Sequence, residues 1–320
     1  MKVLVITVYI GPLPGLMPLW LRSAGANPQI DFLVVTDQPT PADVPANVRF
    51  QQADLASLRD HWSQQTGIEV ALETPYKLND FKPLFWSLAE NIEAYDYWGY
   101  CDLDVVFGNL DLVMDGRLGR YDMILSEGHL RLLRNDAATR EAWRTVSTPR
   151  SWTDIMTDPA NFGMDEHHGI NRIFREPGRS WFANSGLVAD IDPGFRQLRL
   201  LPQFPNFRCQ GFFWDNGAIY REAWTGGRRR LQEFAYIHLQ KRKLAIDPAA
   251  VAAPAFDFDS DAIRPRPATA GSKAAIAGRN PWHWPNFGEA RIIARQWRRQ
   301  LTGWQSPFAP VDRPESGTLA

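Results

Sequence analysis

The sequence predicts an α/β fold with a mainly parallel sheet flanked by helices. Three apolar runs carry that expectation. Residues 3–9 (VLVITVY) form a continuous apolar stretch rich in β-branched residues, the pattern of a central parallel strand buried on both faces. Residues 30–36 (IDFLVVT) repeat the pattern and end at Asp37. Residues 97–107 (YWGYCDLDVVF) form a third strong strand. Helical segments alternate with these strands, as in a parallel sheet wrapped by helices.

The other elements follow in order. Residues 17–24 suit a short helix, and Pro39, Pro41 and Pro45 mark a turn before a short strand at 48–51. Residues 55–65 and 78–92 read as helices, the second entered at Pro75 and Asn79 with Leu84, Leu88 and Ile92 as its apolar stripe. Further strands are expected at 121–126, 181–191, 217–224 and 231–239, and helices at 137–146 and 166–174. Residues 248–277 turn Ala- and Pro-rich and read as a linker, and 288–301 as a basic amphipathic helix. The expected organisation is one domain over 1–247, linker and helix over 248–305, and a disordered tail over 306–320.

Bulk properties exclude several classes. A chain of 320 residues suffices for one large α/β domain with additions. The net charge of -1 supplies no global field for nucleic acid, so no such partner is expected. Cys101 and Cys209 are too few for a disulfide framework, and no CxxC spacing occurs. The opening apolar run is broken by Gly11, Pro12 and Pro14, is too short to span a bilayer, and lacks a small-residue cleavage site. A cytoplasmic location is therefore expected. Thirteen Trp and 18 Phe suit stacking on sugars and bases, or simply a packed core.

Ligands of open α/β sheets bind outside the carboxyl ends of the strands. Asp102 and Asp104 sit near the end of the third strand, and a spacing of two places them on one strand face. Two like charges there repel and are costly to desolvate unless a cation lies between them. A divalent-metal site is the economical reading, with oxygen ligands suited to Mn²⁺ or Mg²⁺, which commonly bridge phosphates. The plainer alternative is that both carboxylates cap the following loop, since D-x-D is common by chance. D-x-D-x-V after an apolar strand also fits a phosphatase of the haloacid-dehalogenase type. That family places the motif on its first strand, and its downstream Lys and acidic pair are not evident here.

Charged residues flank this strand on both sides in sequence. In PYKLNDFKPLFW, Lys77 and Lys82 suit phosphate neutralisation, and Asp80 suits accepting hydrogen bonds from a ribose or base. The alternative is a capped, solvated helix start. In EFAYIHLQKRK, His238 follows an apolar strand and precedes Lys241, Arg242 and Lys243. A neutral imidazole can complete a shell begun by two carboxylates. The lysines suit a diphosphate leaving group. The alternatives are a structural histidine and a solvated basic turn.

Together VLVITVY, FLVVTD, the K-x-x-D-x-K segment at 77–82, DLD and YIHLQKRK resemble the GT-A glycosyltransferases. Residues 75–110 and 236–243 are similar to a bacterial family of polysaccharide-associated, glycosyltransferase-like proteins, and the likeness covers about residues 1–245. The helix-to-DLD stretch also resembles the S-D-x-x-R…G-G-x-Y-x-D-x-D arrangement of retaining transferases that act on mannans. It departs from it in having Lys82 for Arg, and Trp98 and Gly99 for the paired glycines. The resemblance implies a GT-A (Rossmann-like) fold with a C-terminal helical extension. It implies metal-dependent hexosyl transfer from a UDP- or GDP-sugar to a glycan or lipid-linked glycan, in surface polysaccharide synthesis and with retained configuration. It implies Asp102, Asp104 and His238 as metal ligands. Thr7, Tyr9, Asp37, Asp80, Lys82, Lys241 and Lys243 would contact the donor.

The acceptor side rests on weaker patterns. MDEHHGINRIF places Asp165, Glu166, His167 and His168 at a helix start. These carboxylates suit positioning or deprotonating a hydroxyl, or equally a favourable charge at a helix N-terminus. Adjacent His167 and His168 do not face one ion on a helix, so HHG is not a zinc motif. Asn184 and Ser185 in FANSGL suit hydrogen bonds to a sugar, and Trp214 and Asp215 suit stacking and hydroxyl recognition. Asp165, Glu166 and Asn184 are the candidate catalytic residues. The basic helix, with Arg291, Arg295, Arg298 and Trp297, suits peripheral contact with an anionic membrane at its inner face, or docking by its apolar stripe. The alternative function is a non-catalytic glycan- or nucleotide-binding relative of the same fold.

Overall fold

The first apolar run forms the centre of the molecule in the computed structural model, which describes residues 1–166, 169–183, 185–240, 242–283, 289–291, 293 and 294. The strands in chain order begin with β1 (Val3–Tyr9), β2 (Ile30–Thr36), β3 (Val48–Gln52), β4 (Tyr97–Cys101) and β5 (Val105–Phe107). Next come β6 (Met123–Ile124), β7 (Leu130–Arg134), β8 (Trp181–Phe182) and β9 (Val188–Asp190). Then follow β10 (Gln210–Asp215), β11 (Ala218–Thr225), β12 (Arg228–Phe234) and β13 (Tyr236–His238). The last are β14 (Ala245–Ile246), β15 (Ala255–Phe258) and β16 (Ala262–Pro265).

Among the described residues these strands build a mixed α/β architecture with three sheets. The largest runs in the order β3-β2-β1-β4-β7-β6-β8. Its first four strands are mutually parallel, as the apolar runs predict. β7 runs antiparallel to β4 and β6, but β6 is parallel to β8, so this sheet is mainly parallel as expected, whereas the six-stranded sheet is mainly antiparallel. Along β1, Leu4, Ile6 and Val8 pack to one side and Val3 and Val5 to the other, which is why the run is continuously apolar.

The third run does not continue as one strand. β4 stays in the large sheet, while β5 joins β13 and β9 in a separate three-stranded sheet. Asp102, Leu103 and Asp104 form the turn between them. The two carboxylates therefore do not share a strand face; the turn presents them. The single helix expected over 78–92 is also broken. Leu78–Phe81 is a short α-turn, and Lys82–Leu88 continues as a 3₁₀ helix. Pro83 lacks the amide hydrogen that an α-helix would need there. Packing holds the segment in place, with Phe81 and Phe85 stacked on Trp62 at 4.8 and 5.9 Å.

The linker expected over 248–277 is structured, and the boundary at 247 cuts through a sheet. β14 pairs with β16, and β15 pairs with β10, in a six-stranded sheet ordered β12-β11-β10-β15-β16-β14. Phe256 and Phe258 point into a core shared with Phe212 and Trp214, while helix Lys273–Arg279 carries Ile276 against Gly211. Most of the expected basic helix and all of the tail lie outside the described residues. No helix among the described residues is long and apolar enough to cross a membrane.

Candidate functional site

The turn at 102–104 lies at the carboxyl end of β4, beside that of β1. Four contacts pin it. Thr7 Oγ1 donates to Cys101 O at 2.8 Å, and Trp20 Nε1 to Asp102 O at 3.3 Å. Asp102 N donates to His129 O, and Leu239 N to Asp104 O. Strand register then assembles the rest. His238 pairs with Val105 across β5 and with Asp190 across β9, so the end of β13 sits beside both the turn and Asp190.

His238 lies between two carboxylates. Its Nε2 is 3.4 Å from Asp104 Oδ1, and its Nδ1 is 2.8 Å from Asp190 Oδ1. Asp190 Oδ1 also accepts from Gln240 Nε2 at 2.9 Å, and Asp190 Oδ2 is 3.6 Å from His129 Nε2. The His129 and His238 rings stack at 4.0 Å, and His129 Nδ1 meets the Tyr236 hydroxyl at 3.0 Å. Burial would lower the His238 pKa, but Asp104 and Asp190 outweigh it and push it up to about 10. Burial would raise Asp190, but its two histidine partners hold it well below the usual carboxylate range. This position favours positive charge strongly.

The residues present fit a divalent cation. Asp104 Oδ1 is a buried oxygen with no hydrogen-bond partner. The donor atoms of Asp102, Asp104 and His238 all lie within 4.8 Å of one another, and those of His129, Asp190 and His238 form a second such group. Two carboxylates and an imidazole match the oxygen- and nitrogen-accepting chemistry of Mn²⁺ better than that of Mg²⁺.

Lys82 anchors the other side of the turn. Its buried ammonium is 2.8 Å from Asp102 Oδ1 and 3.1 Å from Asp165 Oδ2, and donates to Gly128 O at 3.0 Å. Burial would lower its pKa, but the two carboxylates hold it above the usual lysine range. Burial would likewise raise Asp102, whose carboxyl Lys82 holds below its ordinary value. Asp165 is raised, chiefly by burial, against the pull of Lys82.

Two cavities border this cluster. One, of about 420 Å³, is lined by Thr7, Tyr9, Tyr76, Asn79, Lys82, Asp102 and Asp104 among others. The second, of about 340 Å³, is lined by His129, Glu166, Asp190, His238 and neighbours. Asp104 lines the first and His238 the second, and their contact links the two linings.

The other expected residues fall in varied places. Asp37 is exposed at the end of β2, accepts from Gly11 N at 2.9 Å, and does not line the first cavity. Asp80 requires correction. It is fully buried, ion-paired with Lys77 at 2.9 Å, and accepts from Phe162 N and Met164 N, so it ties down the 158–165 loop and lines neither of these cavities. Lys77 is equally enclosed, donating to Ile155 O and Ala160 O. Asp165 is spoken for by Lys82, while Glu166 accepts from Gly128 N at 2.9 Å and lines the second cavity. Lys243 is exposed and lines neither cavity, and Arg242 donates to the carbonyls of Asp192, Phe195 and Arg196. Lys241, Asn184, His167 and His168 lie outside the described residues. Trp214 is a core residue, donating to Phe107 O at 3.0 Å and stacked on Phe256 at 5.1 Å, so it offers no sugar platform. Asp215 accepts from Asn216 Nδ2.

Sequence reasoning missed Asp190, His129 and Glu127. The available signal for Asp190 was its place at the end of an apolar run (LVAD), the feature that singled out Asp37.

The model of a family of unknown function, DUF6625, matches residues 5–266. No curated protein matches the chain. Among solved structures, the apo-form glycosyltransferase GlyE of Streptococcus pneumoniae TIGR4 is similar at 12% identity and a TM-score of 0.36. That similarity covers 59% of this chain and 46% of the other, so under half of that protein's length is spanned. The family model takes in β1 from Val5 onward, the 102–104 turn, His238 and all of β15, so the chain belongs to DUF6625.

Proposed function

We propose that this chain is a metal-dependent glycosyltransferase of GT-A type, moving a hexose from a nucleotide-diphosphate sugar to a glycan hydroxyl in surface polysaccharide synthesis at the cytoplasmic face. One observation carries the reading. Asp102, Asp104 and His238 converge at the carboxyl ends of strands and beside a cavity, with Asp104 Oδ1 buried and lacking a hydrogen-bond partner. Bound there, Mn²⁺ or Mg²⁺ would neutralise the donor diphosphate as it leaves.

The chain's own residues would do the rest. Asp102 and Asp104 would hold the cation from one side and His238 Nε2 from the other. Asp190 takes the Nδ1 side of His238 and so fixes which nitrogen faces Asp104. Lys82 keeps Asp102 ionised and holds Asp165 and Gly128 in register with it. Tyr9 and Tyr76, the latter 64% exposed, put aromatic surface in the first cavity for a UDP or GDP base.

The test is thermal-shift stabilisation by nucleoside diphosphates and nucleotide sugars, with and without Mn²⁺. The reading expects a shift with one base that needs the cation and disappears in Asp104→Ala. A folded protein that shifts with no nucleotide in either condition would sink it.

A further inference from the structure

We propose that the second cavity binds the acceptor as a neutral, hydroxyl-rich saccharide. The proposal rests on the transferase reading for the word acceptor, and on the cavity itself for the ligand class.

Its position is the first argument. His238 lines this cavity and Asp104 lines the donor-side cavity, and the two side chains are 3.4 Å apart. A hydroxyl placed there would face the same cluster as a donor diphosphate in the first cavity. At about 340 Å³ the space suits one or two sugar rings.

The lining is the second argument. Leu201 and Phe204 offer apolar surface for the C–H face of a ring, and Gln203 and Gln240 offer amides that both donate and accept. Glu127 and Glu166 add carboxylates that accept from hydroxyls. This pairing of an apolar wall with convergent hydrogen-bonding groups is what a sugar requires. Three carboxylates, Glu127, Glu166 and Asp190, outnumber the Arg175 guanidinium and the His238 imidazole on this lining, which disfavours an anionic ring.

Backbone strain is the third. Leu125, next to the 126–129 segment of the cavity wall, has a φ of 66°, and Gln240, which also lines the cavity, has a φ of 53°. Leu125 is fully buried and branched, so it takes the left-handed region only under constraint from its surroundings. Such strain concentrates at sites that must hold a set geometry.

The experiment is saturation-transfer NMR on the full chain with Mg²⁺. The probes are a panel of neutral methyl glycosides and methyl disaccharides, with methyl glucuronide as the anionic comparison. Nucleotide binding is measured separately on every protein. Gln203→Trp fills the cavity from its exposed rim, and Glu127→Gln removes one charge without changing shape. The expected result is a neutral glycoside that binds the wild type, binds Gln203→Trp at least tenfold more weakly, and outcompetes the glucuronide at least tenfold. That preference should narrow several-fold in Glu127→Gln, with any nucleotide shift unchanged. Absence of neutral glycoside binding, equal binding to Gln203→Trp, or preference for the glucuronide would overturn the proposal. A wild type that binds glycosides in this cavity but no nucleotide would keep the saccharide site and sink the transferase reading alone.

Discussion

Asp104 Oδ1, on the first cavity, lies 3.4 Å from His238 Nε2, on the second. The contact follows from register: β5 begins directly after the 102–104 turn, and Val105 pairs with His238. Asp104→Ala removes a half-exposed carboxylate whose contact is with His238 at the cavity edge and not with the core, so the fold should survive. Cation affinity should fall by about 100-fold or more, beyond the usual cost of losing a supporting residue. Mn²⁺ titration followed by electron paramagnetic resonance measures this directly. An unchanged affinity would remove Asp104 from the ligand set.

Asp190 should act through His238 instead of touching the cation. Asp190→Asn keeps the volume and an oxygen near His238 Nδ1, but loses the charge that favours the bound orientation. Mn²⁺ affinity is expected to drop about 10- to 100-fold with the melting temperature little changed. If the affinity falls no further than experimental error, the 2.8 Å contact is structural only.

Asp102, Asp104 and His238 were legible because each sits at the end of an apolar run, a local pattern. Asp190 and His129 were not, because Asp190 reaches His238 through β13 lying parallel to β9, and His129 reaches the turn through β7 pairing with β4, both pairings between segments far apart in sequence. Residues 97–107 read as one strand because an apolar run looks alike whether it stays in one sheet or changes sheets at a turn. The Ala- and Pro-rich composition of 248–277 masked the alternation of AFDF, in which Phe256 and Phe258 face the core and Asp257 meets Arg266. Lys77 and Asp80 looked like a solvated helix start because charge at such a position is ordinarily exposed. Their burial comes from the 155–164 segment that folds over them.

That burial sets a prediction for Asp80. Lys77 and Asp80 are both fully buried, and removing one member leaves an uncompensated charge costing about 3–5 kcal/mol. Asp80→Asn also weakens the hold on Phe162 N and Met164 N. Urea denaturation should therefore show a clear loss of stability. Nucleotide binding per folded molecule should be retained. A variant as stable as the wild type that no longer binds nucleotide would restore Asp80 to the donor site.

Gly99 gives the last prediction, and it concerns how the turn is supported. A Cβ at this position would lie 1.9 Å from Arg131 O and 2.9 Å from Leu132 Cδ2. β4 cannot retreat, because it is paired with β1 on its other edge. Gly99→Ala must therefore part β4 from β7, the strand whose Arg131 ties Asp165 O and Asn171 to the site. The expected cost is about 3 kcal/mol, the upper end for overpacking. Gly15→Ala meets open space and should change stability by less than about 0.5 kcal/mol. Parallel urea titrations of the two variants test this. Equal midpoints would mean that β4 and β7 are not paired as closely as this register requires.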